Sequence, residues 1–372
     1  MRMWLSRSST LPISLHLSVG KQYYQRPEGR QAFRTIAQIL AGDIIRCINL
    51  KLDLPSMEAI ASFLALLPQD EVLCLENFVV RCHEEEHRLP IRLSALFNYS
   101  PKLRSLIWES PNVKARRFLP IVNWNQLVDV RLDCRLSLVD CFHIIQRSVQ
   151  LKTCYLFWIS NAVFSTPLTG HHTHTSIQDL RLHSTIPINS LISALTLPSL
   201  NALTLVLSGD PDELDAHNSG ADLSHFVERS RPPLRSLTLE NFRIPENDLI
   251  RCLLQLPTIE EIKIDETVAE FLTNELLDAL GRLWPNSEDE GGAHRPTFLC
   301  PKLQSIRLGP NISSTDGVFA EMFRKRWDAA GRGEVFRMGS VHVEFRNGPH
   351  VADEEVKQYR AEGLSFHFYS IP

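Results

Sequence analysis

The chain has 372 residues, 44% of them apolar and 22% charged, and a formal net charge of −4. These are the proportions of an ordinary soluble globular protein. The mild acidity leaves no electrostatic footprint for nucleic acid or for an anionic membrane.

Taken in chain order, residues 1–19 come first. They lack the long apolar centre of a secretion signal, because Pro12, Ser14 and His16 interrupt the apolar residues. No apolar run in the chain approaches the roughly 18 residues needed to span a bilayer. Together these features predict an intracellular protein, cytoplasmic or nuclear, with no membrane partner. Ile13–Leu17 alternates as a strand does and is expected to cap the fold. Eight cysteines are scattered along the chain with no Cys-x-x-Cys pair, so reduced and mostly buried thiols are expected.

A short pattern, apolar-x-x-apolar-x-apolar, then recurs. It is clear as Leu103, Leu106, Trp108, again as Leu127, Val130, Leu132, and again as Leu151, Cys154, Leu156. Later copies begin at Ile177, Leu200, Leu234, Ile259 and Leu303. Upstream, Ile45, Ile48, Leu50 is read as a copy, and Val72 with Leu75 as a partial one. From Leu103 onward the steps between first positions are 24, 24, 26, 23, 34, 25 and 44 residues. The two long steps carry polar inserts, 209–220 and 285–296, which read as surface loops. Each copy suits a short strand with one buried face. Proline stands just ahead of many copies, at Pro101, Pro198, Pro233, Pro257 and Pro301. Between copies lie amphipathic stretches of helical length: Ser56–Leu67, Ser137–Arg147, Glu246–Leu256 and Thr315–Trp327.

Strand and helix in alternation predict an α/β fold with a parallel sheet. A repeat of 20–29 residues with this pattern is the signature of a leucine-rich-repeat solenoid, a horseshoe with a parallel concave sheet and helices on the convex side. The expected organisation is an N-terminal cap and first strand over 1–43, the array over 44–332, and a C-terminal cap over 333–372. In that cap Val341–Val343 and Leu364–Phe368 read as strands. A doubly wound α/β sheet is the alternative. The repeated register and the lack of a Gly-rich phosphate turn argue against it.

Three stretches resemble fungal F-box/leucine-rich-repeat-like proteins, above all the basidiomycete set. Trp4-Leu5-Ser6-Arg7-Ser8 with Leu11-Pro12-Ile13-Ser14-Leu15 is similar to that family's "W-L-x-R-S … P-L-x-L" segment. Cys300-Pro301-Lys302-Leu303-Gln304-Ser305-Ile306 resembles its late "C-P-x-L-x-x-L" repeat. Phe323–Trp327 and Glu362-Gly363-Leu364 resemble its closing helix and final strand. The resemblance implies a substrate-recognition protein related to the receptors of SCF ubiquitin ligases. It departs at one point: the family's F-box of about 45 residues precedes the "W-L-x-R-S" segment, and here Met1 stands three residues before Trp4. The element that docks a Skp-type adaptor is therefore expected to be missing, through loss or a truncated gene model.

In a solenoid the x positions of the pattern point onto the sheet's open face. The expected partner-binding residues are Asp129, Arg131, Asp133, Tyr155, Phe157, Asp179, Arg181, His183, Lys263 and Arg307. Aromatic anchors ringed by arginine and aspartate suit a protein hot spot. The alternatives are a stabilising charge ladder along the sheet, or, with a one-residue slip, core roles for Tyr155, Phe157 and Trp158.

Chemistry finds little purchase. His83-Glu84-Glu85-Glu86-His87 matches the His-Glu-x-x-His of zinc hydrolases, in which two histidines bind metal and the glutamate acts as base. Pro90 and Leu93 stand where a longer zinc motif needs glycine and histidine, so the exposed charged loop is the preferred reading. Cys82 with His83, or His171, His172 and His174, could hold only adventitious metal. Neither a nucleophile elbow nor a phosphate loop occurs. Arg324-Lys325-Arg326 reads as a solvated helix face. The expectation is thus a protein-binding module with no catalytic residue, metal or cofactor. A scaffold unrelated to ubiquitin is a further alternative.

Overall fold

A computed structural model describes residues 5, 8, 10–68, 73–82, 93–114, 119–160, 168, 170–209, 220–242, 244–265, 273–284, 296–312, 317–345 and 353–370. It is an α/β structure whose main strands, thirteen in number, pair in parallel. The chain divides into two compact units, Met1–Leu168 and Thr169–Pro372. No described helix is long and apolar enough to cross a membrane.

The first unit contains β1 (Ile13–Ser18), β2 (Cys47–Asp53), β3 (Asn77–Arg81), β4 (Ser105–Lys114), β5 (Asp129–Leu136) and β6 (Thr153–Ile159). Each pairs in parallel with the next. The second unit holds β8 (Asp179–Ser184), β10 (Ala202–Leu207), β11 (Ser236–Glu240), β12 (Glu261–Asp265), β15 (Ser305–Ile312), β16 (Ser340–Phe345) and β17 (Ser365–Ser370), again parallel and in chain order. Two small ladders accompany them: β7 (His172–Thr173) with β9 (Leu195–Thr196), and antiparallel β13 (Leu283–Trp284) with β14 (Thr297–Phe298).

Parallel neighbours need a crossover, and the helices supply most of them. In the first unit these include Met57–Leu64 and Leu138–Arg147. Ser56 and Ser137, read from sequence as helical, are in fact N-caps. The Ala59 amide donates to Ser56 Oγ at 3.1 Å. Ser137 and Asp140 form a reciprocal capping box, Asp140 N to Ser137 Oγ at 3.1 Å and Ser137 N to Asp140 Oδ2 at 2.9 Å. Cys141, Phe142, Ile144 and Ile145 turn one face of that helix inward. In the second unit the helix expected over Thr315–Trp327 runs from Val318 to Gly331 and starts after Gly317, whose φ of 85° favours glycine. Where it passes the helix Asn274–Gly281, a Cβ on Gly281 would fall 3.0 Å from the Met322 Cα.

Most of the described strands in both units begin with one repeated hydrogen-bond device. The carbonyl of the residue before the strand accepts two successive amides from the next copy. Glu76 O takes Arg104 N and Ser105 N, and Arg104 O takes Val128 N and Asp129 N. In the second unit Arg235 O takes Glu260 N and Glu261 N. Just ahead, a tight turn delivers the first apolar residue: Leu103 N donates to Ser100 O, Ile259 N to Leu256 O, and Leu303 N to Cys300 O. Pro101, Pro257 and Pro301 occupy the second position of those turns, where a fixed φ near −65° suits the bend. The repeated apolar residues from Leu103 to Leu308 are all buried.

This register corrects the upstream copies. Parallel pairing sets Leu50 beside Phe78 and Phe78 beside Leu106. The copies are therefore Cys47, Leu50, Leu52 and Leu75, Phe78, Val80, all buried. Ile45, taken from sequence as a first position, is 37% exposed, and its neighbour Ile44 in the 3₁₀ turn faces inward instead. Three isoleucines in five residues offered two frames. The buried neighbours across the sheet selected the other one.

A second correction concerns Arg326. It is not on a solvated face but only 1% exposed. Its guanidinium donates from Nη1 to Leu280 O (3.0 Å) and Leu299 O (2.8 Å), and from Nη2 to Cys300 O (2.8 Å). Burial lowers its pKa to about 10, which still leaves it charged at neutral pH. Leu280 ends a helix, so the cation sits against the negative end of a helix dipole.

Candidate protein-binding face

Burial alternates along the central residues of the strands. On β5 Val130, Leu132 and Cys134 are buried, Asp129 and Arg131 are exposed, and Asp133 is half-buried. On β6 Cys154 and Leu156 are buried while Tyr155 and Phe157 are half-buried on the other side. A one-residue slip that would make those two aromatics core residues is therefore excluded.

In the first unit Glu109, Asp133 and Phe157 stand abreast on β4, β5 and β6, and Ile107, Arg131 and Tyr155 form the adjacent row. Glu109 accepts from Arg81 through both Nε and Nη2. That bond holds the Arg81 pKa above its ordinary value. Arg131 Nε approaches Glu109 Oε1, the oxygen that Arg81 Nη2 also contacts, only to 3.8 Å, and its guanidinium carbon lies 5.3 Å from the centre of the Phe157 ring. Val79 continues the row of Ile107, and both are half-buried. Arg81, Val79 and Ile107 were missed by sequence reasoning. The signal was present: Ile107 lies between Leu106 and Trp108 of a copy already clear in the sequence, and Val79 and Arg81 fall on outward positions once the upstream copy is set on Leu75.

The pairing between β5 and β6 shifts after Asp133 and Phe157, so that Leu136 next meets Ile159. This bulge turns Trp158 outward immediately after Phe157. Trp158 is 45% exposed and holds a left-handed φ of 58°, which is strained for a bulky residue.

In the second unit Asp179, Arg181 and His183 share the outward side of β8. Arg181 Nη2 lies 3.5 Å from Asp179 Oδ2, and His183 Nε2 is 2.9 Å from Ser208 Oγ. Lys263 and Arg307 are in register on β12 and β15. Lys263 pairs with Glu240 on β11, and Arg307 Nη2 lies 3.9 Å from Asp265 Oδ2. Here the outward charges link neighbouring strands in the manner of a ladder. Partly exposed pairs of this kind contribute little to stability, up to about 1 kcal/mol each.

No group of three His, Cys, Asp or Glu able to hold a metal ion occurs among the described residues. The His83–His87 motif lies outside them. His174 is buried, its amide donating to Thr196 O and its Nδ1 accepting from Ser176 N at 3.3 Å. Burial first, and His174 second, lower the His172 pKa. Seven of the eight cysteines are buried and all are free thiols. Burial pushes Cys47 up to about 11 and Cys252 and Cys300 up to about 12, which makes them poor nucleophiles at neutral pH.

No protein-family model matches the sequence, and no curated protein is significantly similar to it.

Proposed function

We propose that the chain is a leucine-rich-repeat solenoid that binds another protein on the outward face of its parallel strands and performs no chemistry of its own. The observation that carries this reading is the outward side of β5 and β6. There Arg131 and Tyr155 are partly open to solvent, in one row with apolar Ile107 and Val79, and half-buried Phe157 stands in the adjacent row. Aromatic and arginine side chains presented from a rigid sheet favour binding, because little conformational entropy is lost when they are covered. The resemblance to fungal F-box/leucine-rich-repeat-like proteins extends the proposal to a substrate receptor related to SCF ubiquitin ligases, working inside the cell.

The test is affinity purification from host cells with wild type and with an Arg131→Ala/Tyr155→Ala double variant that melts at the same temperature. The proposal expects partners recovered with wild type to be lost with the variant. Identical recovery by both would remove the face from consideration. Recovery of partners that never include a cullin or a Skp-type adaptor would leave the binding face and reject its link to ubiquitin.

A further inference from the structure

One group on the first unit's outward face has no hydrogen-bond donor among the described residues. Asp133 Oδ1 is withdrawn from solvent and accepts no hydrogen bond from any described residue. A carboxylate oxygen taken out of water without a donor loses hydration that nothing returns. Exposed Arg135 lies two residues on along the same outward side of β5, and abreast of Asp133 stands Glu109, next to two guanidinium groups, Arg81 and Arg131. Glu109 engages both of those, closely with Arg81 and loosely with Arg131. Asp133 is left over. Phe157 stands directly abreast of it, Tyr155 is abreast of Arg131, and the strained, exposed Trp158 follows.

We propose that Asp133 anchors a lysine or arginine side chain of a partner peptide. The aliphatic stem lies on Tyr155 and Phe157, and the charged head donates to Asp133. Basic side chains bury their stems along apolar surface while the head seeks a carboxylate. The Asp133 oxygen that lacks a donor gives the complementarity, and Arg131 repels the incoming head from the Glu109 side. This deepens the protein-binding reading and rests on it.

The experiment uses the full chain and three fluorescein-labelled decapeptides, serine alternating with arginine, glutamate or glutamine, followed by fluorescence anisotropy at low salt. The arginine peptide is expected to bind wild type best. Its affinity should fall about tenfold or more in Asp133→Asn and in Phe157→Ala. Asp265→Asn in the second unit should change it less than about twofold. Asp133→Asn should also melt at or above the wild-type temperature, since it relieves an unpaired charge; a purely structural aspartate would melt lower. No binding of the arginine peptide, preference for the glutamate peptide, or undiminished binding by Asp133→Asn would each overturn the proposal. A photo-crosslinker at Tyr155 separates this from the wider reading. If a cellular partner crosslinks there and the arginine peptide does not compete, the cation site falls and the binding face stands.

Discussion

Between β2 and β6 the repeat is nearly regular, its first positions Cys47, Leu75, Leu103, Leu127 and Leu151 falling 28, 28, 24 and 24 residues apart. Between β10 and β16 it stretches to steps of 34, 25, 44 and 35 residues through Leu200, Leu234, Ile259, Leu303 and Met338. Yet the double-accepting carbonyl and the inward side of the strands are the same in both regions. The comparison teaches that the strand and its entry turn are the fixed part of the unit, while the return segment is free to lengthen. What differs is how that return is tied down. In the regular region a serine hydroxyl closes the helix end: Ser100 Oγ donates to Leu96 O at 2.6 Å and Ser148 Oγ to Ile144 O at 2.7 Å. At the longest step a buried arginine does so.

The largest expected effect tests whether the two regions share one kind of core. Leu132→Asp in the first and Leu239→Asp in the second should each destabilise by about 4 kcal/mol or more, because both bury an unpaired carboxylate. Both side chains are at most 1% exposed. Denaturant unfolding measures this. A mild result for one and a severe result for the other would mean that the inward positions are not equivalent.

Next comes the feature that separates the regions. Arg326→Ala should cost about 3–5 kcal/mol, since it takes a charged donor from three carbonyls, of which Cys300 O keeps the Leu303 amide, and opens a cavity. Arg326→Lys should recover only part of this, because one ammonium cannot reproduce a planar fork reaching Leu280, Leu299 and Cys300. Thermal melting of both variants decides it. An alanine variant as stable as wild type would reduce the long step to an ordinary loop.

How much of this could be read beforehand follows from which forces are local. The strand positions from Leu103 to Leu308 were legible because period-two burial is written in single residues. So were the parallel pairing and the outward positions of Asp129, Arg131, Tyr155 and Phe157. Arg326 was not legible. Its neighbours Arg324 and Lys325 suggested a solvated face, and the carbonyls that hold it lie 26 to 46 residues away. The Arg81–Glu109 pair was hidden for a related reason, since it joins strands whose relative register the sequence left ambiguous. Trp158 shows the same limit: a bulge is a property of two strands, and neither one alone announces it.

A smaller effect tests the regular region at its best-capped helix. Ser137→Ala removes the acceptor of the Asp140 amide and one half of the capping box, at a cost of about 1 kcal/mol. Asp140→Ala should cost about the same, and the double variant should cost less than the sum of the two because each half supports the other. Additive costs would show that the reciprocal bonds do not act together.

The smallest expected effect is the most informative about register. Ile45→Asp should change stability by no more than about 0.5 kcal/mol, the ordinary range for a surface position. Its side chain is 37% exposed, and what it gives the fold is its carbonyl, which accepts from Cys74 N at 3.1 Å and is unaffected by the substitution. Cys47→Asp, two residues on, should be as damaging as Leu132→Asp, because Cys47 is fully buried and already resists ionisation even as a thiol. If the frame read from sequence were the true one, the severities would be reversed: Ile45 would be the first inward position, and Cys47 would lie between inward ones. Unfolding curves for this pair therefore locate the first repeat to the residue. With it they fix which side chains of β2 and β3, Arg81 among them, belong to the outward face.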